Sequence, residues 1–292
     1  MNIVLTGGSG FIGRNILEFL SKKYTITAPS RQELDLIDEK KVRHFFATNK
    51  IDIIIHSAVK PAHRNAKNLN DIFYHNTRMF FNLIRNREFY SKMIFLSSGS
   101  VYDMRHYTPK MSESCFDRHV PADEHGFAKY VCAKHIELLE DIVELRLFGV
   151  FGKFEDYAIR FISNAICKTH FNLPITIKQN RRFDYLYVND LMQVLEYFIH
   201  NKPSHAAYNV TPNESIELGT IAEIILAISG KELPILVQQP GLGMEYSGDN
   251  TRLCREIEAM KFTPIEEAIH QLFNWYSSNL HVINRDLLLV DK

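Results

Sequence analysis

"TGGSGFIG", residues 6–13, follows one apolar burst, "NIVLT" (2–6), and opens an amphipathic stretch, "FIGRNILEFLSKK" (11–23). Gly8, Gly10 and Gly13 satisfy Gly-x-Gly-x-x-Gly, and Gly7, Gly10 and Gly13 form a second set at three-residue spacing. Glycines between a strand and a helix permit a tight turn and bring backbone close to a pyrophosphate. The ligand's charge then meets free N–H groups at the helix N-terminus. A glycine pattern alone could also be an ordinary strand-to-helix turn. In this context the expected role is nucleotide binding, with Gly7, Gly10, Phe11, Ile12 and Gly13 against the ligand.

Outward from this turn, apolar bursts alternate with helix-period stretches. "YTITA" (24–28), "EKKVRHFFATN" (39–49) and "IDIIIHSA" (51–58) are followed by a helical stretch over about 69–90, then "KMIFLSS" (92–98). A loop with Pro109 and Pro121, a helix in "DEHGFAKYVCAKHIE" (123–137) and "IVELRLFG" (142–149) complete the series. Such alternation predicts an α/β fold, a Rossmann-type doubly wound parallel sheet with helices on both faces. After about Gly152 the rhythm loosens into "ITIK", "DYLYV" and helices near 190–200, 216–229 and 264–279. The reading is a main dinucleotide-binding domain over 1–152 and a smaller C-terminal α/β substrate lobe over 153–292, with elements near 182–210 returning to the first domain.

Composition narrows the partners. The chain has 292 residues, 46% hydrophobic and 23% charged, enough to bury a sizeable core. Lysine plus arginine equals aspartate plus glutamate at 34 each, so no global charge argues for nucleic acid or an anionic membrane. Cys115, Cys132, Cys167 and Cys254 are far apart and form no Cys-x-x-Cys or zinc-like spacing, so they read as reduced thiols and no metal site is expected. No segment approaches the roughly 18 apolar residues of a membrane helix, and the cytoplasm is the expected setting.

The second strand bears on which dinucleotide binds. An acid ending this strand would accept hydrogen bonds from a ribose 2′-OH, whereas arginine suits a 2′-phosphate. Here Ser30 and Arg31 occupy the turn and the first acid, Glu33, comes later. NADP(H) is therefore favoured, with NAD(H) possible. Asp35 and Leu36 border the expected adenine site, and Ser57 and Ala58, closing "IDIIIHSA", complete the cofactor set.

With "TGGSGFIG", "IDIIIHSA", "NTRMFFNLI", "LSSGSVY", "LRLFGVFG", "DYLYVND" and "YNV" in this order, the chain resembles the extended short-chain dehydrogenase/reductase family that modifies nucleotide sugars. "SRQELDLIDEKKVRHFFATNKID" is most similar to its reductase branch, which includes GDP-fucose synthase. The resemblance implies that Ser98 holds the sugar's reacting oxygen and Lys129 binds the nicotinamide ribose. It gives Ser100 an auxiliary polar role and puts Asn76 near the catalytic strand ends. Physical chemistry agrees about Ser98, which ends a strand where ligands of open α/β sheets bind and whose hydroxyl can donate and accept.

The family's Tyr-Gly-x-Ser-Lys motif is altered to "HGFAK" (125–129), which keeps Gly126 and Lys129 but puts His125 in place of the acid/base tyrosine. Histidine exchanges protons near neutrality, with an ordinary pKa of about 6.5 that a nearby lysine cation lowers. A second couple, Tyr130 and Lys134, cannot serve the same site. Residues five apart on a helix differ by about 140°, and Lys134 with Glu137 makes an ordinary surface pair. The apolar positions Phe127, Ala128, Val131, Cys132, Leu138, Leu139, Ile142 and Val143 form one broad sector, with His125 and Lys129 at its border.

Gly99 and Ser100 stand where the family's dehydratases carry an Asp–Glu pair, so dehydration is disfavoured. Phe183 occupies the place of a family arginine, leaving Arg182 and Arg252 as candidates for the substrate diphosphate. The expected activity is that of an NAD(P)-dependent oxidoreductase or epimerase on a nucleotide-linked sugar, most simply a 4-keto-sugar reductase. The alternative is a binding protein that lost the tyrosine. A homodimer through the helices near 69–90 and 123–141, which carry Phe73, Phe80, Phe81 and Val131, is also expected.

Overall fold

The computed structural model describes residues 1–62, 65–66 and 68–290, so positions 291–292 of the C-terminal lobe lie outside the described residues. The first half runs β1 (Asn2–Thr6), α1 (Phe11–Leu20), β2 (Thr25–Thr27), α2 (Glu39–Thr48), β3 (Ile53–His56), α3 (Ile72–Ile84), β4 (Lys92–Ser98), α4 (Glu124–Ile136) and β5 (Ile142–Leu147). The second runs β6 (Gly149–Phe151), α5 (Phe161–His170), β7 (Ile175–Asn180), β8 (Arg182–Phe183), β9 (Tyr185–Tyr187), α6 (Val188–His200) and β10 (Ala207–Val210). It closes with β11 (Ile216–Glu217), α7 (Leu218–Ser229), β12 (Ile235–Leu242), α8 (Thr251–Glu256) and α9 (Ile265–Ser278).

Six strands form one parallel sheet in the order β10-β5-β4-β3-β1-β2. Side-chain alternation divides its core. Ile3, Leu5, Ile55, Ile94, Leu96 and Leu145 pack on the face covered by α1 and α6. Val4, Ile54, Met93 and Phe95 pack on the other, with Phe46 of α2, Phe80 of α3 and Ile136 of α4. Fully buried Phe46 and Phe80 each contribute on the order of 1.5–3 kcal/mol by transfer from water. Among the described residues no helix is long and apolar enough to cross a membrane.

The order in which strands are added to the sheet reverses at β1, with β2 on one side and β3 on the other, so a crevice opens at the carboxyl ends of β1 and β3. The glycine turn sits there. Gly7 adopts φ +76°, and a Cβ on it would lie 2.7 Å from the Ala58 nitrogen and 2.8 Å from the Ser57 carbonyl carbon. A Cβ on Gly13 would lie 2.2 Å from the Gly7 carbonyl oxygen. Only without these carbons can the turn lie directly on the end of β3 while α1 starts against the turn.

Both helices that flank the site are shorter than the sequence suggests. α3 begins after Asp71, which has left-handed φ 57°, and ends at Ile84. The Asn86 side chain donates back to the Asn82 carbonyl at 2.8 Å, and one 3-10 turn, Arg87–Phe89, follows. α4 stops at Ile136, and Asp141 pairs with Arg87 through two hydrogen bonds of 2.9 and 2.6 Å.

The lobe is built from small pieces. β7 pairs in parallel with β12, β8 antiparallel with β11, and β6 in parallel with β9. α5, α7 and α9 supply its buried Ile166, Ile221 and Leu272. β10 lies in the main sheet beside β5.

At an open helix position Gly→Ala stabilises by roughly 1 kcal/mol. Gly13→Ala should instead destabilise by about 1–3 kcal/mol, because its methyl meets a backbone carbonyl rather than a yielding side chain. Urea unfolding checks the sign, and a stabilised variant would mean that the turn yields.

Candidate active site

A cleft of about 1060 Å³ runs from Phe11, Ile12 and Ser57 at the sheet edge, past Ser98, His125 and Lys129, to Arg160, Lys178 and Arg181 of the lobe. At its dinucleotide end, α1 has no side-chain cap and no acid in its first turn, so its positive end is uncompensated. The crowded glycine cradle and these free N–H groups fit a pyrophosphate. The cradle is latched to β3: Ser57 N donates to the Thr6 carbonyl at 3.2 Å and Ala58 N to Thr6 Oγ1 at 3.3 Å. Thr6 Oγ1 also pairs with His56 Nδ1 at 2.7 Å.

The turn after β2 has a defined shape. Ser30 N donates to Glu33 Oε2 at 2.7 Å, while Glu33 N donates to Ser30 Oγ at 3.3 Å. Arg31 is 77% exposed and only loosely paired with Asp35 at 3.9 Å. Leu36 is buried in the core beneath, its carbonyl accepting from Asn82 Nδ2 at 2.8 Å.

Ser98 ends β4, and its Oγ accepts from Ser100 N at 3.1 Å. α4 comes close because a Cβ on Gly126 would sit 2.6 Å from the Ser100 carbonyl oxygen. The Asp123 carboxylate caps α4, accepting from Gly126 N at 2.8 Å. His125 and Lys129 follow on successive turns. Lys129 is 6% exposed, donates to the Leu96 carbonyl at 3.1 Å and lies 4.6 Å from the Phe95 ring centroid. Ser100 Oγ is buried with no hydrogen-bond partner among the described residues. Asn76 brackets the Lys60 backbone at 2.7 and 3.2 Å and so holds the strip after β3 that lines the cleft.

Burial, seconded by the Lys129 charge, sets the local electrostatics. Burial, and then Lys129, pushes His125 down to about 4, with Asp123 opposing. His56, stacked on Phe95, is pushed to about 3 by burial and by the same cation. Lys129 itself is lowered by burial. Farther along the cleft, burial raises Glu155 to about 8, so below that pH it does not oppose an anionic ligand.

Several sequence-based expectations change. The buried face of α4 consists of Gly126, Ala128, Lys129, Cys132, Ala133 and Ile136, so Lys129 lies within it rather than at its border. Phe127 is 38% exposed and stacks on Phe73 of α3 at 5.0 Å. The Tyr130–Lys134 couple lies outside the cleft, as the helix geometry implied: Tyr130 donates to Asp117, and Lys134 pairs with Asp117 at 3.1 Å and Glu137 at 2.6 Å. Arg182 is turned away from the cleft, donating to Ser215 Oγ and O at 3.1 and 2.5 Å and facing Glu217 at 3.5 Å. Arg252 donates to the Ala207 carbonyl at 3.0 Å and is not in the cleft lining. Arg181, Phe183 and Tyr185 line it instead, the alternate positions of one extended run. Tyr246, unremarked in the sequence, lines it as well. Among the described residues no group of three or more His, Cys, Asp or Glu could hold a metal.

A glycine cradle at the switch point and a strand-end serine facing a buried lysine define a Rossmann-type enzyme that works with a dinucleotide. The model of the NAD dependent epimerase/dehydratase family matches residues 3–211, and the chain belongs to that family. GDP-L-colitose synthase of Yersinia pseudotuberculosis is 27% identical over 224 residues, 69% of this chain and 73% of that protein. The dTDP-4-dehydro-6-deoxyglucose reductase of Escherichia coli is 24% identical over 273 residues, 82% and 85% of the two chains. The crystal structure of a GDP-L-fucose synthetase from Naegleria fowleri shares the fold, with TM-score 0.83 at 17% identity over 97% of this chain and 95% of that one.

The depressed His125 has a sign that can be measured. Between pH 6.5 and about 4 the unfolded chain takes a proton at this histidine that the native protein does not, so its contribution to stability is complete above 6.5 and is lost on acidification. The stability of the parent relative to His125→Gln should therefore fall across that window in denaturant titrations. A difference independent of pH would contradict the burial of this imidazole.

Proposed function

We propose that this protein is an NAD(P)-dependent reductase of a 4-keto sugar carried on a nucleoside diphosphate. The observation that carries this is one cleft that reaches Phe11 and Ile12 beside the glycine turn, Ser98 and Lys129, and a cationic far wall. When bound, the nicotinamide supplies or accepts hydride. Ser98 orients the sugar oxygen by hydrogen bonding, and Lys129 holds the nicotinamide ribose. Arg181, with Arg160 and Lys178, attracts the diphosphate. His125, neutral at working pH, orients the substrate through a ring nitrogen rather than supplying an imidazolium proton. The relatives' activities on GDP- and dTDP-linked sugars support the substrate class. Gly99 and Ser100, in place of a carboxylate pair, argue against dehydration.

NADP(H) is the preferred cofactor in this reading. Glu33 is engaged by the Ser30 amide, and the exposed Arg31 is free to meet a 2′-phosphate. Calorimetry should find NADPH bound more tightly than NADH, with Arg31→Ala removing most of a preference of about 1.5–3 kcal/mol. Equal affinities in the parent would refute the preference. The activity is tested by following NADPH oxidation over a panel of 4-keto nucleotide sugars. Turnover is expected, and NADPH binding without turnover on any of them would favour the binding-protein alternative.

The reading also includes a cytoplasmic homodimer. Exposed Tyr74 and Phe127 on α3 and α4 support a shared helical interface, whereas Phe80 is fully buried and cannot serve it. Sedimentation at micromolar concentrations should give twice the chain mass, and a monomer would remove the claim.

A further inference from the structure

Reduction of a ketone leaves an alkoxide beside Ser98, and a proton must reach it. His125, at the position where the resemblance implies a tyrosine, is held neutral. Lys129 is buried and donates to the Leu96 carbonyl. The Ser98 hydroxyl can give its own proton only if another acid replaces it. One further acid lies within reach of that serine.

Tyr246 belongs to the segment between β12 and α8, and its backbone is clamped to the strands of the lobe. Its N donates to the Arg182 carbonyl at 3.0 Å, and its carbonyl accepts from Asp184 N at 3.4 Å. The ring packs between Tyr107, at 5.0 Å between centroids, and Phe148, at 5.2 Å. This clamp aims the phenol at the end of β4. A Cβ on Gly99 would lie 2.4 Å from Tyr246 Oη, so the absence of a side chain next to Ser98 makes the room that the hydroxyl occupies. Ser98 precedes Gly99 at the end of β4, and it and Tyr246 line the cleft together with His125 and Lys129.

We infer that Tyr246 is the catalytic proton donor of this enzyme, a phenol delivered to Ser98 from the C-terminal lobe in place of the one missing at position 125. The inference rests on the reductase reading above. In the balanced step, hydride from the reduced nicotinamide adds to the carbonyl carbon and the C=O π pair moves to oxygen. That oxygen takes the Tyr246 proton, directly or through Ser98, which passes on its own proton and receives the phenol's. The phenolate recovers a proton from water in the open cleft. One hydride and one proton are consumed, and the products are the alcohol and oxidised nicotinamide.

Burial and the neighbouring Asp184 hold the Tyr246 phenol well above its ordinary range, while Asp184 itself is raised to about 7. The phenol is thus protonated at every working pH. That suits reduction and handicaps alcohol oxidation, for which a phenolate base would be needed. The clamp also means that the donor is in place only when the lobe is docked on the sheet.

Tyr246→Phe keeps the stacked ring and deletes the donor. In the parent, NADPH oxidation with a 4-keto nucleotide sugar is expected. The variant should lose roughly 10²–10⁴-fold in kcat, with KM and NADPH affinity nearly unchanged, and His125→Tyr added to it should restore part of the loss. Independently of turnover, binding of the 4-hydroxy nucleotide sugar should perturb the near-ultraviolet tyrosine spectrum of the parent and not that of the variant. A variant with parental kcat overturns the donor and leaves the reductase reading standing. A parent inactive on every 4-keto substrate overturns both.

Discussion

The approach of the β1–α1 turn to the end of β3 is the constraint on which the site depends. Gly7 rests on the Ser57–Ala58 backbone at a distance that no side chain permits, and Gly13 lets α1 begin directly against the Gly7 carbonyl. Because β3 lies on the opposite side of β1 from β2, this meeting point is also the mouth of the crevice. The Thr6 hydroxyl, shared by His56 and the Ala58 amide, ties the two strand ends together. The close glycine turn and the mouth of the crevice thus follow from one packing contact.

From that point the chemistry is organised by a single buried cation. Lys129 lies in the packed face of α4, held by the Leu96 carbonyl and the Phe95 ring, and its charge helps to keep both nearby histidines neutral. A tyrosine beside such a cation would be acidified, whereas a histidine is stripped of its proton. A His125 held neutral in this way is a poor proton donor. The Tyr246 hydroxyl reaches the strand end beside Ser98, where Gly99 leaves the space for it.

Much of this architecture is legible in the chain. The glycine turn, the alternation of strands and helices, Ser98 at a strand end and the separation of the Lys129 and Lys134 faces of α4 all follow from local spacing. Arg181 is legible as well, since Arg181, Phe183 and Tyr185 share one face of an extended run and Arg182 lies on the other. Helix ends were overextended because Asn86 and Asp141 act through side-chain contacts that periodicity does not register. β12 escaped notice because its residues are nearly all exposed and it contains Pro240 and Gly241, so it has no alternating pattern. Tyr246 could not be seen, since its place beside Ser98 depends on how the lobe folds back on the sheet.

The most direct measurement is a crystal structure of the protein with NADP and a 4-hydroxy nucleotide sugar. This account predicts the pyrophosphate on the Gly7–Gly13 turn, the diphosphate of the sugar nucleotide near Arg181, and the sugar 4-oxygen within hydrogen-bond distance of Ser98 and Tyr246. A sugar whose 4-oxygen lies against His125 with Tyr246 out of reach, or a nucleotide bound away from the glycine turn, would contradict it.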